Sequence, residues 1–117
     1  MDEKKLKQRT KDFAHRCVKL TLALPKTKLG NHISGQLIRC ATSVAANYRA
    51  VCIAQSKASF TSKLSIVLEE ADESSFWLEF IVDEWLLKTE LVEPLLNEAK
   101  ELTAIFYASR KTSKHNP

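Results

Sequence analysis

The chain offers few places at which it can turn. It contains only 2 Gly and 3 Pro among 117 residues, and Pro25 and Pro94 both stand where the apolar pattern breaks. Because Gly and Pro most often mark turns and loops, the segments between these breaks must be long. Long segments favour helices, and 44% hydrophobic residues supply enough apolar material for one core. The sequence therefore predicts a single all-α domain over residues 1–117.

Apolar residues recur every three or four positions in four segments, as on one face of a helix. In the second segment this stripe consists of Ile33, Leu37, Cys40, Ala41, Val44, Tyr48 and Val51. Pro25 ends the first segment, Asn31 or Ser34 can cap the second, Ser56 can cap the third, and Pro94 suits the first turn of the fourth. The predicted helices cover about 5–23, 31–54, 57–88 and 94–111, and the basic tail 110–117 is predicted to be disordered. No segment shows strand-like alternation with hairpin turns. Short connections then predict an up-down-up-down antiparallel four-helix bundle.

Several classes of protein do not fit the chain. No apolar run approaches the roughly 20 residues of a membrane span, and the charged first residues do not resemble a signal peptide. We therefore expect a cytoplasmic protein without membrane contact. Cys17, Cys40 and Cys52 are odd in number and lack Cys-x-x-Cys spacing, so we expect reduced thiols in the core.

The third helix carries more apolar residues than one core-facing stripe needs. Its main stripe runs from Phe60 to Trp85, whereas Ile66 and Trp77 lie off that stripe, and a monomer would leave aromatic surface in water. This pattern predicts a homo-oligomer, although loops or helix ends that cover the surface are the alternative.

Charge is distributed unevenly along the chain. Residues 1–64 hold 13 Lys and Arg against 3 Asp and Glu, whereas residues 65–117 hold 5 against 11. A concentrated set of cations can attract nucleic acid. The candidate nucleic-acid-binding residues are Lys4, Lys5, Lys7, Arg9, Lys11, Arg16, Lys19, Lys26 and Lys28. The alternative is that these side chains are solvated or pair with acidic residues of the third helix.

The residues give no support for catalysis. Gly30 and Gly35 stand alone, so there is no Gly-rich phosphate loop, and scattered histidines offer the serines no partner. Asp12 and His15 have one spacing of a di-metal bundle site, but no second copy of it exists. We expect no enzyme activity, no metal and no cofactor.

A polar line runs beside the apolar stripe of the second helix. Its residues are Gln36, Arg39, Ser43 and Asn47, and their expected counterparts on the third helix are Glu70, Glu73 and Trp77. Hydrogen bonds from the Arg39 guanidinium to either glutamate would satisfy buried polar groups and fix the register of the two helices. We interpret the cluster as structural or as part of an interface.

Residues 34–47 carry a family resemblance. With Leu24-Pro25, Phe60, Glu69-Glu70, Glu73 and Trp77-Leu78, the set Gln36, Leu37, Arg39, Ser43 and Asn47 resembles the four-helix-bundle family encoded by intervening sequences in 23S ribosomal RNA genes. The resemblance covers about residues 10–110. Many members continue after the Asn with an apolar residue, Ala, Glu and Gly, whereas this chain has Tyr48-Arg49-Ala50-Val51.

The resemblance implies a ring-like homo-oligomer, typically a pentamer, and kinship with the accessory variability protein of diversity-generating retroelements, which is basic and binds nucleic acid. It implies no enzymatic role. Two hypotheses follow. The first is a noncatalytic oligomer that contacts the phosphates of RNA or DNA, and the alternative is a structural or protein-interaction scaffold that binds no nucleic acid.

Overall fold

A computed structural model describes residues 2–115 and consists of four α-helices. They are α1 (Glu3–Thr21), α2 (Lys28–Cys52), α3 (Lys57–Asp83) and α4 (Thr89–His115). The prediction of an all-α, four-helix protein is confirmed, and the described residues contain no strand. The bundle is elongated, with extents of 49 × 21 × 19 Å.

Side-chain contacts between neighbouring helices give their directions. As the residue number rises on one helix, it falls on its neighbour, so the helices alternate in direction. The contacting pairs are His32 with Trp77, Arg39 with Glu70, Thr61 with Ser113, and Lys100 with Glu79. α2 packs against α1 and α3, and α3 packs against α4, while α1 and α4 touch less extensively.

The core lies along the axis of the bundle. Its largest fully buried side chains come from all four helices, and those of α2 follow the predicted stripe. They include Phe13, Ile33, Leu37, Leu64, Leu78, Ile81, Leu102 and Phe106. None of the helices in residues 2–115 combines the length and apolar character that crossing a membrane requires.

α2 begins three residues earlier than predicted because Thr27, and not Asn31 or Ser34, caps it. The Thr27 hydroxyl accepts a hydrogen bond from the Gly30 amide at 3.0 Å, which satisfies one of the free amides of the first turn. The connection from α1 folds back so closely that a Cβ at Gly30 would lie 2.0 Å from the carbonyl oxygen of Pro25. Only glycine fits this position without displacement of the backbone.

α3 ends at Asp83 rather than at the predicted residue 88. Trp85 adopts φ 57°, a left-handed conformation usually taken by glycine at a helix end. The Trp85 amide donates to Val82 and the Leu86 amide to Ile81, which is the Schellman pattern of helix termination. Trp85 was predicted to belong to the core stripe, but it is 91% exposed.

α4 is longer than predicted at both ends. It begins at Thr89, so Pro94 lies inside the helix and not in its first turn. Its C-terminal end includes residues 110–115, which contradicts the predicted disorder of the tail as far as His115; residues 116–117 lie outside the described part. Ser113 is buried and hydrogen-bonded to Thr61 of α3, and this contact anchors the last turns of α4.

Candidate nucleic-acid interface

The nine predicted nucleic-acid-binding residues do not form one patch. Lys4, Lys5, Lys7, Arg9 and Lys11 lie on the first half of α1, whereas Lys19, Lys26 and Lys28 lie near the other end of the bundle, with Arg16 on the α1 turn before Lys19. α1 rises about 22 Å between Lys4 and Lys19. The structure therefore divides the predicted set between two ends of the molecule.

Arg9 differs from the other eight because it pairs with α4. Its guanidinium donates two hydrogen bonds of 2.7 Å to the carboxylate of Glu98 and lies 3.3 Å from Glu101. The hydrogen bond with Glu98 raises the pKa of Arg9, so the guanidinium stays charged. This ion pair links α1 to α4. Because the two carboxylates neutralise the guanidinium, Arg9 is a poor candidate for phosphate binding.

The antiparallel topology gathers other cations beside the first turns of α1. We call this region the basic end; it comprises residues 2–9, 46–63 and 109–115, where α1 and α3 begin and α2 and α4 end. Ten cationic residues lie there: Lys4, Lys5, Lys7, Arg9, Arg49, Lys57, Lys63, Arg110, Lys111 and Lys114. Within these ranges the carboxylates are Asp2 and Glu3, so the formal charge of the region is +8, while Glu98 and Glu101 of α4, outside the ranges, contact Arg9.

The opposite end is balanced. The same lengths of helix and their connections, residues 15–34 and 77–95, carry five cations and five carboxylates. They are Arg16, Lys19, Lys26, Lys28 and Lys88 against Glu79, Asp83, Glu84, Glu90 and Glu93. The uneven distribution of charge along the sequence thus becomes a difference in charge between the two ends of the bundle.

Six of the ten cations of the basic end were not predicted as binding residues. Arg49, Lys57 and Lys63 were not singled out, and Arg110, Lys111 and Lys114 were assigned to a disordered tail. The signal was nevertheless available, because an up-down-up-down bundle places the end of its fourth helix beside the start of its first.

The basic end contains an open cleft of about 830 Å³ between α4 and the α2–α3 connection. Lys57 and the hydroxyls of Ser109 and Thr112 line it, together with the ring of Phe60, which is 38% exposed. Phe60 was predicted to face the core. In this position it offers an apolar surface beside cationic and hydroxyl groups.

The polar cluster predicted between α2 and α3 is present as contacts but lies at the surface. Arg39 donates to both carboxylate oxygens of Glu70 at 3.2 and 3.3 Å, and also to Glu73. The Glu73 carboxylate accepts a further 3.1 Å hydrogen bond from the indole of Trp77. The prediction of burial is wrong, because the Arg39 side chain is 49% exposed.

The ion pair shifts the titration of both partners. The hydrogen bond from Arg39 lowers the pKa of Glu73, and the hydrogen bonds to Glu73 and Glu70 raise the pKa of Arg39. Each charged form thus stabilises the other. The cluster links α2 to α3 electrostatically, but water screens it.

The remaining predicted members of the cluster bond locally. The Asn47 amide donates to the hydroxyl of Ser43 at 2.8 Å and to its carbonyl at 2.9 Å, within α2. Neither side chain hydrogen-bonds to α3, and Gln36 makes no side-chain hydrogen bond within the described residues. The structure therefore brings together Arg39, Glu70, Glu73 and Trp77, but not the whole set.

An aromatic group adjoins this cluster. The ring of Trp77 lies 4.9 Å from Phe76, 6.0 Å from Phe80 and 5.7 Å from His32, measured between centroids. Phe76 is 51% exposed, whereas Trp77 and Phe80 are half-buried. We call these four residues the aromatic face, which is a partly uncovered apolar surface on one side of the bundle.

The cysteines lack the environment of reactive thiols. Cys17 and Cys40 are buried, and burial raises the pKa of both thiols. Within residues 2–115, no three His, Cys, Asp or Glu side chains converge in a group that could hold a metal ion. The polar side chains that the described helices bring together form ion pairs and helix caps.

The fold and its surface define a four-helix-bundle protein with one strongly cationic end. Residues 2–108 match the family described as 23S rRNA-intervening sequence protein, and the chain belongs to that family. It is similar to the crystal structure of a protein of unknown function from the S23 ribosomal protein family of Bacteroides thetaiotaomicron. The two share 32% identity with a TM-score of 0.85, over 95% of this chain and 99% of the other. A comparison with curated proteins gave no match.

Proposed function

We propose that this protein is a noncatalytic, oligomeric nucleic-acid-binding protein, and that its basic end contacts the phosphates of RNA or DNA. The observation that carries the proposal is the charge of that end, where nine cations besides the paired Arg9 stand against two carboxylates. The kinship with the accessory variability protein, which the family resemblance implies, also favours a nucleic acid as the ligand. Phosphate contacts of this kind give affinity with little sequence discrimination.

Assembly would multiply the binding surface. The aromatic face leaves Phe76 half-exposed beside Trp77, which is the kind of apolar surface that a second subunit covers. We propose a ring-like homo-oligomer, with the pentamer favoured by the family resemblance. Several basic ends in one assembly make weak phosphate contacts effective through multivalency.

Two double charge reversals test the binding site. Lys57→Glu with Lys111→Glu changes the basic end, and Lys26→Glu with Lys28→Glu makes the same change in net charge at the opposite end. We expect the first variant to bind a labelled RNA duplex at least about tenfold more weakly, and its salt slope to fall by about 2, because each lost phosphate contact removes about 1. The second variant should stay within about twofold of the parent protein.

Equal losses of affinity in the two variants would contradict the proposed site, and salt-independent binding would contradict phosphate recognition altogether. Light scattering on protein freed of nucleic acid tests the assembly. A mass of 13.3 kDa, that of a single chain, would contradict it, whereas Phe76→Glu is expected to lower the mass of the oligomer.

A further inference from the structure

An open groove of about 760 Å³ runs along the outer surface between α1 and α2. Its floor consists of the small side chains Ala14, Val18, Ala45 and Ala46. Cations stand on its rim, namely Lys4, Lys7, Lys11 and Arg49, and no carboxylate lines it. The groove therefore combines an apolar floor with a positive rim.

Two neutral polar side chains, Gln8 and His15, also line the groove, and the Gln8 amide donates to Asp12 at 2.8 Å within α1. The alanine and valine side chains of the floor offer no hydrogen-bond donor. Thr42 also lines the groove, but its hydroxyl donates within α2 to the carbonyls of Ile38 at 2.6 Å and Arg39 at 3.2 Å. The rest of the floor presents methyl groups. A phosphodiester strand seated on that floor would lose hydration and find donors only at the rim, which is unfavourable.

The apolar character continues beyond one end of the floor. Leu22 follows Val18 by four residues, and Ile38 precedes Thr42 by four, so helical spacing places them in line with the groove. Leu22 is 73% exposed and Ile38 is 38% exposed. The small residues of the floor let a further helix, from outside this chain, approach α1 and α2 closely. Leu22 and Ile38 at the end of the floor give that helix more apolar surface to bury.

We propose that this groove binds an acidic amphipathic α-helix of a partner protein. Leucine-sized side chains of that helix pack on the alanine floor, and carboxylates on its flanks meet Lys4, Lys7, Lys11 and Arg49. The occupant follows from charge complementarity, since the charged residues that line the groove, Lys4, Lys7, Lys11 and Arg49, are all cations. α1 rises about 21 Å between Lys4 and Val18, which matches about four turns of the bound helix.

This interaction goes beyond nucleic-acid binding and does not require it. The two share Lys4, Lys7 and Arg49, which belong to both the rim and the basic end. A protein helix and a nucleic acid are therefore expected to compete, although only the helix uses the floor. That difference makes the two activities separable by substitution.

The test uses a designed peptide of about 18 residues, with leucines at i, i+3, i+4 and i+7 and glutamates on the flanks. Its control is a scrambled peptide of the same composition. Ala46→Trp fills the floor and leaves every charge in place, and Ala104→Trp makes the same change at an exposed position of α4. Fluorescence anisotropy measures the peptide and the RNA duplex on each variant.

We expect saturable binding of the patterned peptide that is at least about tenfold tighter than binding of the scrambled one. Ala46→Trp should weaken peptide binding at least about tenfold and leave duplex binding within about twofold, while Ala104→Trp leaves both unchanged. Lys11→Glu, which alters the rim outside the basic end, should also weaken peptide binding. Helical circular dichroism checks that each variant is folded.

Three results would overturn the proposal. Equal affinity for the two peptides would mean that the groove recognises negative charge only. Loss of duplex binding in Ala46→Trp would assign the floor to nucleic acid. A change in the oligomer mass of Ala46→Trp would assign it to a second copy of this chain. A duplex that fails to bind any variant would refute the proposed function and leave the groove proposal intact.

Discussion

Replacing each glycine of α2 by alanine is expected to have opposite effects on stability. At Gly35, an added Cβ has no neighbour within 4 Å, and the position is exposed in the middle of the helix. Alanine there should stabilise the protein by about 1 kcal/mol, because glycine loses more backbone entropy in a helix. At Gly30, the Cβ would lie 2.0 Å from the Pro25 carbonyl oxygen.

That contact cannot relax by rotation of a side chain, because the atom belongs to the backbone. Overpacking costs about 1–3 kcal/mol, and displacing the connection that bears Thr27 removes a helix cap worth about 1 kcal/mol. These losses exceed the gain in helix propensity of about 1 kcal/mol. We therefore expect Gly30→Ala to lower the free energy of unfolding by about 1–3 kcal/mol.

Urea unfolding followed by helical circular dichroism measures both changes, and an unchanged m-value shows that the transition is comparable. Thermal unfolding should move by roughly 3–5 °C per kcal/mol for a domain of this size. Stabilisation by Gly30→Ala would refute the rigid approach of Pro25 to α2. Destabilisation by Gly35→Ala would show that something outside the single chain covers that position.

Three further substitutions test local features. Trp85→Gly should raise the free energy of unfolding by about 0.5–1 kcal/mol, because glycine adopts a positive φ without strain. Trp85→Ala is the control, since alanine keeps the strain. Equal melting temperatures of the two variants in thermal unfolding would contradict the prediction. Arg39→Ala should lower stability by about 1 kcal/mol or less, but more than Lys7→Ala, because Arg39 binds two carboxylates at a screened surface. The pKa of Glu73 lies below its ordinary value of 4.5, so its contribution is present above that pH and lost as the pH falls through the folded value. Glu73→Gln should therefore be less stable than the parent protein at neutral pH and equal to it in strong acid, as measured by urea unfolding.

The core stripe of α2 was predictable from apolar spacing, whereas Phe60 and Trp85 were predicted to face the core and are exposed. Every predicted stripe residue of α2, from Ile33 to Val51, is buried. The helix ends were less predictable, because they depend on backbone geometry. Thr27 caps α2 in place of Asn31, and Trp85 ends α3 in a conformation that its residue type disfavours. Thr27, Asn31 and Ser34 are all residue types that cap helices, so residue type alone does not choose among them, and a tryptophan gives no signal of a positive φ.

The candidate sites show the same division. The spacing of Arg39, Glu70 and Glu73 predicted their contact, but exposure depends on how neighbouring helices cover them, which a single stripe does not specify. The groove between α1 and α2 was not predicted, because alanines such as Ala45 and Ala46 are common in any helix and do not by themselves indicate a groove. Its shape arises only when two helices place small residues opposite each other.

The uneven ends of the bundle affect how copies can assemble. The basic end carries +8, and the whole chain carries +4, so the remainder of the chain carries −4. Subunits that stand side by side and point the same way bring their +8 ends together, and this repulsion opposes assembly. In the proposed ring, a polyanion bound as proposed would neutralise those ends and so favour the assembled state over separate chains. By thermodynamic linkage, the assembled state must then bind the polyanion more tightly than a separate chain does. Raising the salt concentration weakens both the repulsion between subunits and this difference in affinity.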